Sequence, residues 1–124
     1  MQIKDECLLP EIAKNSHTIN TTLAYLAKKQ NAYIRACVTE NKNTSKKLLC
    51  KLSKDKDVIV RIAVAQNRNT SPTTLVNLAK DKSKEVRMWV KRNPNTPPKI
   101  AKKIKKINEY ELYELHGLHN PEYD

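Results

Sequence analysis

The residues of this chain best equipped for chemistry recur at a fixed interval. Arg35, Arg61 and Arg87 stand 26 positions apart, and Asp55 and Asp81 precede the last two by six. A guanidinium fork can grip a carboxylate or a phosphate through two parallel hydrogen bonds. Lysines recur at the same interval: Lys28, Lys54 and Lys80, with Lys56 and Lys82 just beyond. A row of ammonium groups at a constant step suits the phosphates of a polyanion. Other candidates carry less. His116 and His119 form an HxxH that could place two metal ligands on one helical face, but Gly117 separates them and no third ligand stands nearby. Cys7, Cys37 and Cys50 are odd in number and form no CxxC, which indicates neither a disulfide framework nor a structural zinc site. One glycine in the whole chain excludes GxGxxG and the P-loop, each of which needs at least two. No metal or other cofactor is expected.

The elements that must hold these groups belong to a small chain of 124 residues, for which one domain is the expectation. Hydrophobic residues make up 39% and Phe is absent, so the core must be aliphatic. No apolar run approaches the roughly 18 residues of a membrane span. Asp5 and Glu6 stand where a signal peptide has its basic region. The reading is a soluble, cytoplasmic protein without a membrane partner.

The formal net charge of +11 is unevenly distributed. Residues 1–11 carry −2, residues 109–124 carry −5, and residues 12–108 carry +18. Such asymmetry points to nucleic-acid or membrane contact, or to an acidic tail covering a basic surface. A merely solubilising lysine surface gives the same total.

The 26-residue interval runs through the whole body. Asn15, Asn41, Asn67 and Asn93 share it, as do Thr18, Thr44, Thr70 and Thr96. Leu23, Leu49 and Leu75 align, and so do Leu26, Leu52, Leu78 and Ile104. Three units follow, 15–40, 41–66 and 67–92, then a partial one over 93–107. An N-terminal cap of 1–14 and an acidic capping helix and tail of 108–124 enclose them. Each unit reads as two helices, the second short or of 3-10 type. Thr serves as N-cap of the first, with Pro72 and Pro97-Pro98 in its first turn. Val60, Ala63 and Val64, like Val86, Trp89 and Val90, make the buried face of the second. Asn then ends it in the left-handed conformation that Asn tolerates. A lone helix pair cannot bury its apolar face, so the pairs must stack. In the N-terminal cap, Leu8 and Ile12 fall where Ile34 and Val38 would, and Leu9 replaces the arginine.

The stretches Asn67-Arg68-Asn69-Thr70-Ser71-Pro72 and Asn93-Pro94-Asn95-Thr96-Pro97-Pro98, each before an apolar helix, resemble the leucine-rich repeat variant family. So does Leu78-Ala79-Lys80-Asp81 with Glu85-Val86-Arg87. The resemblance covers residues 15–107 and departs at Asn15-Ser16-His17-Thr18, where no proline follows. It implies an all-α fold, a short right-handed α-solenoid of stacked helix pairs akin to HEAT repeats, and no particular activity. It also implies a structural ladder of Asp55 with Arg61 and Asp81 with Arg87. Lys29 occupies the place of the missing aspartate before Arg35, which leaves Arg35 free to bind.

Lys28, Lys54 and Lys80, with Lys56 and Lys82, would then line one edge of the stack. Lys99, Lys102, Lys103, Lys105 and Lys106 form a second cluster. Lys46 and Lys47 sit at a helix start, where they oppose the helix dipole. The expected function is a non-catalytic binding module for nucleic-acid backbone. The alternative is a protein-interaction scaffold or inhibitor that docks on an acidic surface of a nucleic-acid-processing complex. A remoter alternative is an enzyme resembling DNA-base glycosylases. No small-molecule substrate is expected, and the oligomeric state is left open.

Overall fold

A computed structural model describes residues 8–106. The expected acidic helix of 108–124, the HxxH and Cys7 lie outside the described residues. Within them the fold is all-helical. The helices are α1 (Leu9–Lys14), α2 (Asn20–Leu26), α3 (Ala32–Glu40), α4 (Lys46–Leu52), α5 (Val58–Gln66), α6 (Pro72–Leu78), α7 (Lys84–Arg92) and α8 (Pro98–Lys103).

Helices α3, α5 and α7 pack side by side in chain order, with α1 against α3 and α8 against α7. The shorter α2, α4 and α6 each lie against the helix that follows them. The expectation of a short or 3-10 second helix is corrected here. α3, α5 and α7 are α-helices of nine residues, longer than the seven of α2, α4 and α6. They are longer because they carry the central contacts, and tertiary packing of an apolar face sustains most helices in proteins.

The core is aliphatic, as the composition requires. Leu23, Leu49 and Leu75 from the shorter helices and Val38, Val60, Val64, Val86 and Val90 from the longer ones are fully buried. Cys37 is buried among them and Ile104 closes the far end. In α1, Leu9 and Ala13 are fully buried while Leu8 is 53% exposed, so Leu8 does not occupy an inward position. Leu9 has no guanidinium to place at the turn, and its apolar side chain turns into the core instead.

The asparagines and threonines work differently from their expected capping roles. Asn41, Asn67 and Asn93 have φ of −70°, −73° and −72° with ψ near 126°, an extended backbone and not the left-handed one. Their side chains explain their presence. Asn41 Nδ2 donates to Ala13 O at 2.7 Å and Asn15 O at 2.9 Å. Asn93 Nδ2 donates to Ala65 O at 2.8 Å and Asn67 O at 2.9 Å. Asn67 Nδ2 donates to Thr39 O at 2.6 Å. Each amide thus bonds carbonyls at the C-terminus of the neighbouring helix, α1 for Asn41, α3 for Asn67 and α5 for Asn93, where such groups lack an intrahelical partner. Its Oδ1 accepts the N–H two residues on, in an Asx turn. Asn69 adds a bond from Nδ2 to Thr44 O at 3.1 Å. Thr70 Oγ1 donates to Val64 O at 2.7 Å, and Thr96 Oγ1 to Val90 O at 2.6 Å. The N-cap is therefore the residue after the threonine. Ser45 Oγ accepts from Leu48 N at 3.1 Å, and Ser71 Oγ from Thr74 N at 3.3 Å. The threonine hydroxyl is already committed to the helix behind it.

Candidate polyanion interface

The candidate site begins with three short turns, those joining α2 to α3, α4 to α5 and α6 to α7. Their backbones close in the same way. Lys28 N donates to Tyr25 O, Lys54 N to Lys51 O and Lys80 N to Asn77 O, each at 3.2 Å. The following N–H groups, of Lys29, Asp55 and Asp81, donate to Leu26 O, Leu52 O and Leu78 O. Lys28, Lys54 and Lys80 therefore leave equivalent positions, and all three are exposed. Lys56 and Lys82, two residues further on, are exposed as well.

Arginine holds each turn from inside. Arg61 Nη1 donates to Asp55 O at 2.9 Å and Lys56 O at 3.2 Å. Arg35 Nη1 donates to Lys29 O at 2.8 Å and Gln30 O at 2.7 Å. The other side of each fork reaches forward to the next turn. Arg35 binds Asp55 through Nε at 2.8 Å and Nη2 at 3.0 Å. Arg61 binds Asp81 through Nε at 2.9 Å and Nη2 at 3.4 Å. Both pairs are about nine-tenths buried.

Two expectations are corrected by this arrangement. Arg35 is not free: it is buried and doubly bonded to Asp55, so it cannot serve a ligand. The aspartates also do not pair with the arginines six residues after them. Asp55 gives Arg61 only its backbone carbonyl, and Asp81 does the same for Arg87. Each carboxylate instead receives the arginine 20 residues before it. Among the described residues Arg87 is thus the arginine of the three without an aspartate; the position 20 residues on is Ile107.

The surroundings of Asp55 tune its charge. Burial alone would raise its carboxyl. The hydrogen bond from Arg35, that from the Asp57 N–H and the Arg35 charge outweigh burial and hold it below the ordinary carboxylate value. The same hydrogen bond raises Arg35 against the opposing effect of its burial. An ionised pair at this place keeps the turn backbone fixed at neutral pH.

The second lysine group lies at the end of the described chain. Lys99, Lys102 and Lys103 on α8 and Lys105 and Lys106 after it are exposed. Lys91 is not part of it. Its ammonium donates to Ala101 O at 2.6 Å and Ile104 O at 3.0 Å, closing the C-terminus of α8. Lys46 and Lys47 occupy the first turn of α4 and are exposed. Lys47 lines a shallow groove of about 310 Å3 between the starts of α2 and α4, with Asn20, Thr21 and Lys51. None of the lysines in these rows forms an ion pair with another described residue.

Sequence reasoning missed the exposed apolar and aromatic groups near the turns. Tyr25 is 39% exposed and its hydroxyl accepts from Lys29 Nζ at 3.0 Å. Tyr33 is 51% exposed and accepts from Lys14 Nζ at 3.1 Å. Ile59, at the position equivalent to Tyr33, is 42% exposed. The shared 26-residue offset of Tyr33 and Ile59 was the available signal.

Cys37 lies in the core, whereas Trp89, expected on the buried face, is only partly buried. Burial pushes the Cys37 thiol up, which makes it a poor nucleophile. Trp89 is half-buried at the edge of the core, with Arg92 over its ring at 5.4 Å and its Nε1 buried without a partner among the described residues. Among the described residues, no group of three His, Cys, Asp or Glu could hold a metal ion. None of their helices is long and apolar enough to cross a membrane. No family model, curated protein or solved structure matches the chain.

Proposed function

We propose that the chain is a short right-handed α-solenoid of 26-residue helix pairs that binds nucleic-acid backbone along its lysine edge, without catalysis. The observation that carries this reading is the identity of the three turns. Lys28, Lys54 and Lys80 leave them at equivalent places, and buried arginines bind turn to turn. Stacked helices advance about 8–10 Å per step. A DNA strand advances about 3.4 Å per phosphate, so one step spans about three phosphates. Lys56 and Lys82 widen the row, and Lys99, Lys102, Lys103, Lys105 and Lys106 extend it. Contacts of this kind follow a backbone and read no base edges.

Further support comes from position. Lys46 and Lys47 at the start of α4 sit at the unfavourable end of the helix dipole, which a bound phosphate would neutralise. The test is a salt titration of binding to duplex and single-stranded DNA and RNA. A slope of log K against log salt near −4.5, for about five phosphate contacts, is expected with duplex DNA. Absence of binding to every nucleic acid at low salt overturns the reading.

A second reading rests on Val58 and Ile59. They are 36% and 42% exposed at the start of α5, beside Lys54 and Lys56. Phosphates have no use for such a pair, whereas an acidic protein surface with an apolar centre does. A partner retained from source-cell lysate after nuclease treatment favours this alternative.

A further inference from the structure

The forward-reaching series of arginines ends at Arg87. In Arg35 and Arg61 the Nε and Nη2 edge is filled by a carboxylate from the next turn. In Arg87 only Nη1 is engaged, by Asp81 O, and among the described residues the Nε and Nη2 edge has no acceptor. Arg87 lines a cleft of about 400 Å3 between α6, α7 and α8. Lys80, Lys103 and Lys105 line the same cleft, with Ile100 and Ile104 forming an apolar wall. Four cations therefore border one cavity of ligand size, and none of the described residues that line it is a carboxylate.

We infer that this cleft is a seat for a phosphate monoester, and that its source is the terminal phosphate of a nucleic-acid strand. The ladder shows what the arginine edge receives, a carboxylate held by two parallel bonds, and the same fork suits two oxygens of a phosphate. A carboxylate brings one charge to four cations. A phosphate monoester brings nearly two at neutral pH and three acceptor oxygens, which the lysines can share. A phosphodiester in mid-strand brings one charge and must leave the cleft in both directions. A terminal phosphate needs only one exit. Lys80 belongs both to the lysine row and to the cleft wall, so a strand on the row runs directly into the seat. The strand as source rests on the proposed backbone-binding function; the seat itself does not.

The test uses the full chain and two kinds of probe. The first is one single-stranded oligonucleotide made with a 5′-phosphate, with a 3′-phosphate, or with hydroxyls at both ends. One phosphorylated form should bind about tenfold more tightly than the hydroxyl form, the worth of a charged bidentate contact. R87Q should erase that difference, both forms being measured in the variant, with thermal melting to verify folding. R87K, which keeps the charge and loses the fork, should erase most of it. The second probe is adenosine 5′-monophosphate against adenosine, followed by the Arg87 Nε–H resonance. A shift with the monophosphate alone is expected. If the monophosphate shifts that resonance and no oligonucleotide binds, the seat stands and the strand reading is overturned. If oligonucleotides bind without regard to their ends and the resonance is unmoved, the seat is overturned and the backbone reading stands.

Discussion

The Arg35 guanidinium meets the Asp55 carboxylate across two turns of the fold, with Nε to Oδ2 at 2.8 Å and Nη2 to Oδ1 at 3.0 Å. The bond spans 20 residues of chain and ties the turn after α2 to the turn after α4. The same bond from Arg61 to Asp81 ties the next pair. Mutation of these residues should act on the spacing of the lysine edge as well as on stability.

Removing one member leaves the other buried and unpaired. D55A should therefore lower unfolding free energy by about 3–5 kcal/mol. The double variant R35M/D55L should recover much of the loss, since well-packed apolar pairs often replace buried ion pairs without cost. Chemical denaturation of the four forms measures both. Equal stability of D55A and the parent would disprove the role of the pair.

The pH dependence follows from the depressed carboxyl of Asp55. Its folded pKa lies below its unfolded value, so the folded state binds fewer protons over the interval between them. The contribution is complete above the unfolded value of about 3.9 and is lost as pH falls through the folded one. D55N keeps an acceptor for the Asp57 N–H and removes the charge. The stability gap between parent and D55N should be widest at neutral pH and close progressively below about pH 4.

Asn93 makes a sharper case than a helix stop. N93A removes an amide that serves two carbonyls of the preceding units and the Asn95 N–H. It should cost about 1–3 kcal/mol. N93G should be no better, because φ at this position is −72° and glycine's freedom at positive φ has nothing to relieve. Rescue by glycine would revive the left-handed stop.

The start of α4 separates stability from binding. In K46E/K47E each new carboxylate favours the helix N-terminus by about 0.3–1 kcal/mol. The melting temperature should hold or rise while affinity for nucleic acid falls. A parallel loss of both would mean that these lysines serve the fold.

The lysine row has its own signature. Neutralising Lys28, Lys54 and Lys80 together to Gln should weaken duplex binding and reduce the salt slope by about 2.7, three contacts at about 0.9 each. The melting temperature should not change, since all three side chains are exposed. An unchanged slope would remove these lysines from the interface.

The helices and their apolar faces were legible because leucine and valine recur where packing demands them. Lys28, Lys54 and Lys80 share that interval, and the structure places them at equivalent exposed positions. The pairing of Arg35 was not. An aspartate six residues before one arginine is also 20 residues after the previous one, and the two offsets differ by one period of 26. The interval identifies which residues are equivalent and cannot say which neighbour closes a pair. The asparagines were misread for a related reason. Their type suits both a left-handed stop and an extended turn, and the deciding bonds run to carbonyls 26 and 28 residues away.

The one-way reach of the arginines gives the molecule a head and a tail. The middle turn receives a guanidinium from behind through Asp55 and sends one onward from Arg61; the first turn, with Lys29 in the aspartate's place, only sends, and the third, with Asp81, only receives. At one end the series presents Lys29 where a carboxylate would be received, and at the other, among the described residues, the Arg87 fork with one edge unfilled, so its two ends are chemically unlike.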